Sequence, residues 1–520
     1  MHTKHYISFI IITILIACSA TKPTSEQTKP NAKKQNVLFI AIDDLKPLLN
    51  CYGNPHIKTP NIDRLAKMGT VFQNNHCQQA VCGPSRVSIL TGKVPDNTKV
   101  WDLQTYMRVQ NPNIVTLPQY FKSQGYESVG MGKIFHSAKD KANDEISWSE
   151  PFVKVVEADY ASGKEPVYGH YQKPQNRKKY NELRKEAKAK NKKPRKYMIA
   201  NFKPATEKAN VADDVYLEGV LAKKGVEYLN KFSKSDKPFF LAVGFKKPHL
   251  PFVAPKKYWD LYSEKDIQLA EYQGKVKGGF EKAYHTMGEI SKYTNNEGEH
   301  IYKNLIDRKL SEAEQRELIH GYYACVSFVD AQVGKLLDAL EANRQDKNTT
   351  IVLWGDHGWH LGDHGLWCKH SNFEQATRSP LIIATPNGKA NSTTTPTGFV
   401  DVFPTLCELS NIPTPTNLDG ESLVSIMQNP TENTRQFTVS QYPRGKQMMG
   451  YAVRSEHYRY VHWVKMDFHN NSDYSKAEVV ATELYDYRND ANETVNIAES
   501  NEKIVAEHRA MLESYFERIK

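Results

Sequence analysis

One cysteine in this chain sits in a setting suited to chemistry. Residues 78–91 read QQAVCGPSRVSILT, with Cys82 just ahead of an apolar run and with Pro84 and Arg86 close behind it. Two polar pairs close apolar runs elsewhere: Asp43-Asp44 follows NVLFIAI, and Asp356-His357 follows TIVLWG within GDHGWHLGDHG. Carboxylates converging at strand ends repel one another unless a cation lies between them, and oxygen-rich ligands favour Ca²⁺ or Mg²⁺ over zinc. Either pair alone is an ordinary cap or turn; together they point to a hard divalent metal.

Holding such groups in place calls for α/β layers. The runs at residues 36–42, 128–133, 239–244 and 350–355 predict buried strands, and open α/β sheets place their sites at strand carboxyl ends. Residues 59–68 predict a short helix capped by Thr59, residues 87–90 a helix continuing after CGPSR, and residues 311–343 a long one. Beyond residue 423 the texture changes. Short aromatic and β-branched runs at 437–442, 450–453, 458–464 and 483–487 precede an amphipathic pattern at 504–519, predicting a small antiparallel sheet with one helix. The fold class is therefore α/β, with a main domain over residues 36–425 and a C-terminal subdomain over 426–520.

The N-terminus reads as an export signal. Lys4 and His5 precede an apolar stretch at residues 7–17, too short to span a membrane, that ends in L-I-A-C. This resembles a lipobox, in which Cys18 is lipidated and becomes the mature terminus; residues 1–17 are then the signal peptide and residues 18–35 a polar tether. The expectation is a bacterial envelope protein anchored to the membrane by lipid, on the periplasmic side because no acidic cluster follows Cys18. A plain signal peptide with an incidental cysteine is the alternative.

Composition is that of a globular protein: 520 residues, 39% hydrophobic and 25% charged, which excludes disorder and multiple membrane spans. The seven cysteines are spaced irregularly, without the pattern of a disulfide framework or a structural zinc site, so most are expected as buried free thiols. Residues 173–196 carry twelve Lys/Arg against Glu182 and Glu186, an excess of ten that matches the whole net charge of +10. The stretch is either a solvated helical or floppy insertion or a basic arm for a polyanion. Behind an export signal that polyanion is not nucleic acid.

The C-x-P-S-R spacing, the upstream Asp-Asp and the downstream G-D-H-G together resemble the formylglycine-dependent sulfatases of the alkaline phosphatase superfamily. Ordered blocks carry the resemblance to the iduronate-2-sulfatase branch: residues 36–44, FQNNHCQQAVCGPSR, GMGKIFH, FLAVGFKKPHLPF, DHGWHLGDHGLWCKHSNF and SQYPR. It implies an alkaline phosphatase-like sandwich, with a large mixed β-sheet flanked by helices. It also implies that a maturating enzyme oxidises Cys82 to formylglycine (3-oxoalanine) while the segment is still extended, an extension Pro84 favours. One hydroxyl of the hydrated aldehyde attacks sulfur, and deprotonating the second expels sulfate.

The same resemblance implies the site. Asp43, Asp44, modified Cys82, Asp356 and His357 ligate Ca²⁺; Arg86 steadies the hydrate; Lys133 and Lys369 neutralise the sulfuryl group; His136 holds or deprotonates the second hydroxyl; His249 protonates the leaving oxygen. His364 falls in a matching turn and is expected at the substrate, whereas His360 either braces the loop or touches substrate. Arg108 and Arg444 are candidates for a sugar carboxylate or second sulfate. The implied substrate is a sulfated oligosaccharide, either a uronate 2-sulfate or a rhamnose sulfate of the algal polysaccharide ulvan. A formylglycine phosphodiesterase or phosphonate hydrolase, and a glycan-binding lipoprotein that keeps Cys82 as a thiol, are the rival readings.

Overall fold

The computed structural model describes Met1 and residues 34–136, 143–431, 435–470 and 474–519. The expected leader, Cys18 and nearly all of the tether lie outside them. Among the described residues no helix is long and apolar enough to cross a membrane.

Seven strands build the main sheet: β1 Asn36–Ile42, β2 Gly69–Phe72, β3 Glu127–Gly132, β4 Phe239–Phe245, β5 Thr349–Gly355, β6 Leu381–Ala384 and β7 Asn391–Thr393. Their spatial order is β7-β2-β6-β5-β1-β4-β3. β1 runs parallel to β4 and β5 on either side, whereas β6 is antiparallel to β5 and β2, so the sheet is mixed as expected. Every residue of β1, β4 and β5 is buried, which explains why these strands read as continuous apolar runs without alternation. Short β2, β6 and β7 complete the edge and escaped the sequence pattern.

Apolar residues on the two sides of the sheet belong to two core clusters: Leu38, Ile40 and Ile42 join one, and Val37, Phe39 and Ala41 the other. The long helix Glu312–Ala342 belongs to the first cluster and the helix Cys82–Thr91 to the second. Helix α1, Cys82–Thr91, begins at the cysteine itself, earlier than expected; Pro84 lies in its first turn, where a missing N–H costs nothing. Helix α2, Pro174–Ala189, is the basic stretch, which buries Tyr180, Leu183 and Ala187 and so docks as a helix on an apolar face. Helix α3 is Leu217–Phe232, and α4, Glu312–Ala342, starts at a capping box in which Ser311 and Glu314 satisfy each other's backbone N–H. Thr59 does precede a helix, Pro60–Ala66, but its side chain does not cap it.

The C-terminal part is a four-stranded antiparallel sheet, β8 Phe437–Pro443, β9 Met448–Ser455, β10 Tyr458–Lys465 and β11 Glu478–Asp486, followed by helix α5, Glu502–Arg518. Residues from Gln35 onward nevertheless form one compact unit. Arg459 on β10 shows how the two sheets are tied: its guanidinium donates to the Asn372 carbonyl, 2.9 Å away, in a loop that follows β5. The cysteines at 51, 77, 82, 325, 368 and 407 are free thiols, all buried except the half-buried Cys51.

Candidate active site

Four parallel strand ends supply the site. Ile42 pairs with Gly355 on one side and Phe245 on the other, so Asp43 and Asp44 emerge between Asp356-His357 and the turn carrying His249; Lys133 follows β3 beside them. The side-chain ligand atoms of Asp44, Cys82, Asp356 and His357 all lie within 4.8 Å of one another, and every one of these residues is buried. The Cys82 sulfur is 3.3 Å from His357 Nε2. Burial pushes its thiol well above the ordinary range despite nearby Lys133 and Lys369, so as a thiol it stays protonated and a poor nucleophile.

Cations surround the acids. Arg86, fully buried, donates through Nε to Asp356 at 2.9 Å and through a terminal nitrogen to Asp43 at 3.1 Å; its other terminal nitrogen donates to the Lys133 and Ile134 carbonyls. Arg86 thus clamps two carboxylates instead of pointing chiefly at residue 82. Lys133 pairs with Asp43, and Lys369 donates to both Asp44 oxygens at 2.8 and 3.0 Å. Burial alone would push Asp43 up, yet Lys133 and Arg86 hold it well below the usual carboxylate range. Burial and the Lys133 charge keep His136 neutral, down at about 4, and its Nδ1 has no partner among the described residues, an imidazole free to accept a proton.

Lys369 is placed under strain. Cys368 and His370 on either side have φ of 77° and 69°, and Asp44 has φ of 60°. Non-glycine residues pay on the order of 1–3 kcal/mol each for such conformations, which persist where packing overrides them and concentrate at functional sites.

Glu289, which sequence reasoning missed, completes the pocket. It accepts from Lys369 at 3.2 Å, His249 Nε2 lies 3.1 Å away and His370 Nε2 3.3 Å away. Burial would raise its carboxyl, but Lys369, His249 and His370 hold it well below the ordinary value. The other ring nitrogen of His249 contacts the Leu250 carbonyl at 2.7 Å, so both ring nitrogens face oxygen acceptors. Glu289 comes from the stretch between β4 and α4, where no motif marks it.

Three expected substrate contacts are spent elsewhere. Arg108 donates to Asp144, Gln119 and the Ile114 carbonyl, bonds that occupy most of its guanidinium. Arg444 donates to the Lys282, Ala283 and Pro443 carbonyls and stacks on Tyr442, tying down the 282–283 turn. His364 stacks on Phe373 with centroids 4.5 Å apart, lies 3.6 Å from Glu493, and lines a separate cavity of about 420 Å³. His360 is fully buried against Ser371, a brace for the loop.

Comparisons with known proteins agree with this geometry. The sulfatase family model matches residues 35–412, and the model described as N-sulphoglucosamine sulphohydrolase, C-terminal, matches residues 362–519. The chain belongs to the sulfatase family. It is a sulfuric ester hydrolase of alkaline phosphatase-like fold. It is 32% identical to mouse iduronate 2-sulfatase over 83% of this chain and 85% of that one, and 31% identical to a protein named sulfatase from Formosa agariphila over 96% and 89%. Among solved structures, a phosphonate monoester hydrolase of Agrobacterium radiobacter superposes with a TM-score of 0.68 at 20% identity, covering 94% of this chain and 96% of that one. A structure titled as a 2-O GAG sulfatase gives 0.63 at 23%, covering 94% and 92%. At these identities the structures speak to fold alone, and the sulfatase assignment comes from the family model and the sequence relatives.

Proposed function

We propose that this sulfatase hydrolyses sulfate esters on oligosaccharides cut from sulfated polysaccharides, with a uronate 2-sulfate as the preferred unit and Cys82 converted to formylglycine. The observation that carries the proposal is the cluster of Asp44, Cys82, Asp356 and His357, ringed by Lys133, Lys369 and His249. The names of relatives support the saccharide class: iduronate 2-sulfatase in human at 31% identity, and an ulvan-active sulfatase in F. agariphila at 26%.

The residues fit a calcium ion. Oxygen, nitrogen and one modifiable side chain converge on one small buried volume, a donor set for a hard cation when residue 82 presents oxygen. Asp43, Asp44, Asp356, His357 and residue 82 would hold it, and it would supply a Lewis acid for sulfuryl oxygens. A hydrated aldehyde at residue 82 would supply one hydroxyl to take the sulfuryl group and a second to release it. The chain's own groups do the rest. Lys369 and Lys133, now on Asp44 and Asp43, take the sulfuryl oxygens, His249, whose Nε2 lies 3.1 Å from Glu289, turns that nitrogen to protonate the leaving oxygen, and neutral His136 accepts the proton of the second hydroxyl.

The same reading places the enzyme in the bacterial envelope, held by lipid on Cys18 and matured by a formylglycine-generating partner. Its test combines mass spectrometry of the peptide holding Cys82 with a Cys82→Ala variant. The expected results are an aldehyde at residue 82 and loss of sulfate release in a folded variant. An unmodified thiol with full activity would sink it.

A further inference from the structure

Two adjacent lysines follow β4, and they are treated in opposite ways. Lys247 is 2% exposed, and its ammonium donates to the carbonyls of His249 at 3.1 Å and Pro251 at 2.5 Å, which fixes the turn that presents His249. Lys246 points to the other side. Its ammonium has no hydrogen-bond or ion-pair partner among the described residues, although the residue is only partly exposed.

Lys246 stands inside the site by construction. Phe245 pairs with Ile42, and the Asp43 N–H donates to the Phe245 carbonyl, so Lys246 emerges beside Asp43; Lys133 is held on the other flank through its N–H to the Gly244 carbonyl. Asp43 cannot serve as its counter-ion, being engaged by Lys133 and Arg86. Burial, then the like charges of Lys247 and Lys133, hold the Lys246 ammonium down to about 8 against smaller opposite pulls from Asp43 and Glu218. A cation partly withdrawn from water without a partner is costly and is kept where a ligand supplies the partner.

The cavity it faces has room for one. On the side of the site Lys246 lines about 630 Å³ together with Lys133, His136 and His249, with no aspartate or glutamate in that lining, whereas a second cavity of about 440 Å³ brings it beside Glu165 and Glu218. Phe152 and Leu217 give the first cavity an apolar wall of the kind a sugar ring packs on. Lys133, Lys369 and His249 are committed to the scissile sulfate, which leaves Lys246, and the more exposed Lys154, facing whatever else the sugar carries.

We propose that Lys246 is a specificity residue that pairs with a second oxyanion, carboxylate or sulfate, on the sugar bearing the scissile ester. The inference rests on the sulfatase reading above and adds to it that substrates with one negative charge are poor ones.

The test uses three probes: a uronate 2-sulfate disaccharide against its carboxyl-reduced counterpart, a disulfated against a monosulfated hexose, and 4-nitrocatechol sulfate. Selectivity is the ratio of kcat/KM within a pair. The wild type should favour the doubly charged member of one pair by about tenfold to a hundredfold, the range of a charge-assisted hydrogen bond. Lys246→Met should bring that ratio near one, chiefly through KM, while Lys246→Arg keeps most of it. The pair that responds identifies carboxylate or sulfate. Equal selectivity in wild type and Lys246→Met, whatever the loss of rate, overturns the proposal and leaves Lys246 as a residue that only attracts anions or supports the fold. Wild-type turnover of 4-nitrocatechol sulfate with no discrimination in either pair also overturns it while the sulfatase reading stands. Release of sulfate from none of the probes removes the sulfatase reading and this inference with it. Circular dichroism melting of both variants separates misfolding from lost recognition.

Discussion

Replacing Lys369 by methionine tests the electrostatic core of the site. Its ammonium is 2.8 Å from one Asp44 oxygen and 3.1 Å from Glu289, in a side chain 2% exposed. At an effective dielectric of about 20, a contact at 2.8 Å is worth roughly 6 kcal/mol of Coulomb energy before desolvation is charged against it. Breaking a buried pair from one side costs about 3–5 kcal/mol, because the partner is left without compensation. Here two carboxylates are left, but Glu289 keeps His249 and His370, and Asp44 keeps the neighbouring metal position, so the lower end is expected, about 3 kcal/mol. Catalysis should suffer separately. Losing one fixed charge at a developing oxyanion costs about 10²–10³-fold in kcat. The assay is sulfate release from 4-nitrocatechol sulfate beside a melting curve, with Lys369→Arg as the charge-retaining control. The double variant with Glu289→Gln should recover part of the lost stability, a coupling of at least about 1 kcal/mol. A Lys369→Met enzyme within threefold of wild-type kcat/KM would show that Lys369 does not reach the sulfuryl group, and the placement argued above would fail.

Chelation followed by dialysis should abolish activity and lower the melting temperature, and Ca²⁺ should restore both better than Zn²⁺; full activity in demonstrably metal-free protein would contradict the donor-set argument. Although burial pushes it up, Glu493 is held at about 2 by Arg459 and His364, so its ion pair stabilises fully above the ordinary 4.5 and loses that contribution as pH falls through 2. Glu493→Gln should therefore cost about 3–5 kcal/mol at pH 7 and markedly less near pH 2, read as unfolding midpoints at the two pH values. Lys246 faces Lys247, Lys133, Asp43 and Glu218, with Arg195, Glu165, His170, His136, Lys154 and His249 around its two cavities. Charged below about 8 and neutral above, it predicts a KM for doubly anionic sugars that is flat in acid and climbs above pH 8, and that stays flat in Lys246→Arg.

What could be read from the sequence divides along physical lines. β1, β4 and β5 are buried on both faces, so each is an unbroken apolar run visible without context, and the polar residues that end them stand out for the same reason. Helix Glu312–Ala342 announces itself through Ser311 and Glu314. β2, β6 and β7 are three or four residues long, too short to carry a period. Glu289 is invisible because its role comes from three partners distant in sequence, and Lys246 cannot be told from Lys247 until the strand end fixes which ammonium turns inward. The carbonyl partners of Arg108 and Arg444 could not be read from sequence, because an arginine near a motif is as readily a bracket for backbone carbonyls as a hand for substrate.

Charge counting links the proposed metal to the substrate. Asp43, Asp44, Asp356 and Glu289 are met in the folded chain by Arg86, Lys133 and Lys369, four negative charges against three positive. Arg86 is fully buried and held by two carboxylates and two carbonyls, so it cannot follow a substrate; the two lysines each have a single ammonium to redirect. When a sulfate ester draws Lys133 and Lys369 toward its oxygens, the acids lose two partners and a further negative charge enters a dry pocket. On the proposed function a divalent cation among the same acids would offset that loss, and the ester would in turn cover lysines that the cation had freed. Metal and anionic substrate should therefore bind with mutual reinforcement, each making good the charge that the other displaces.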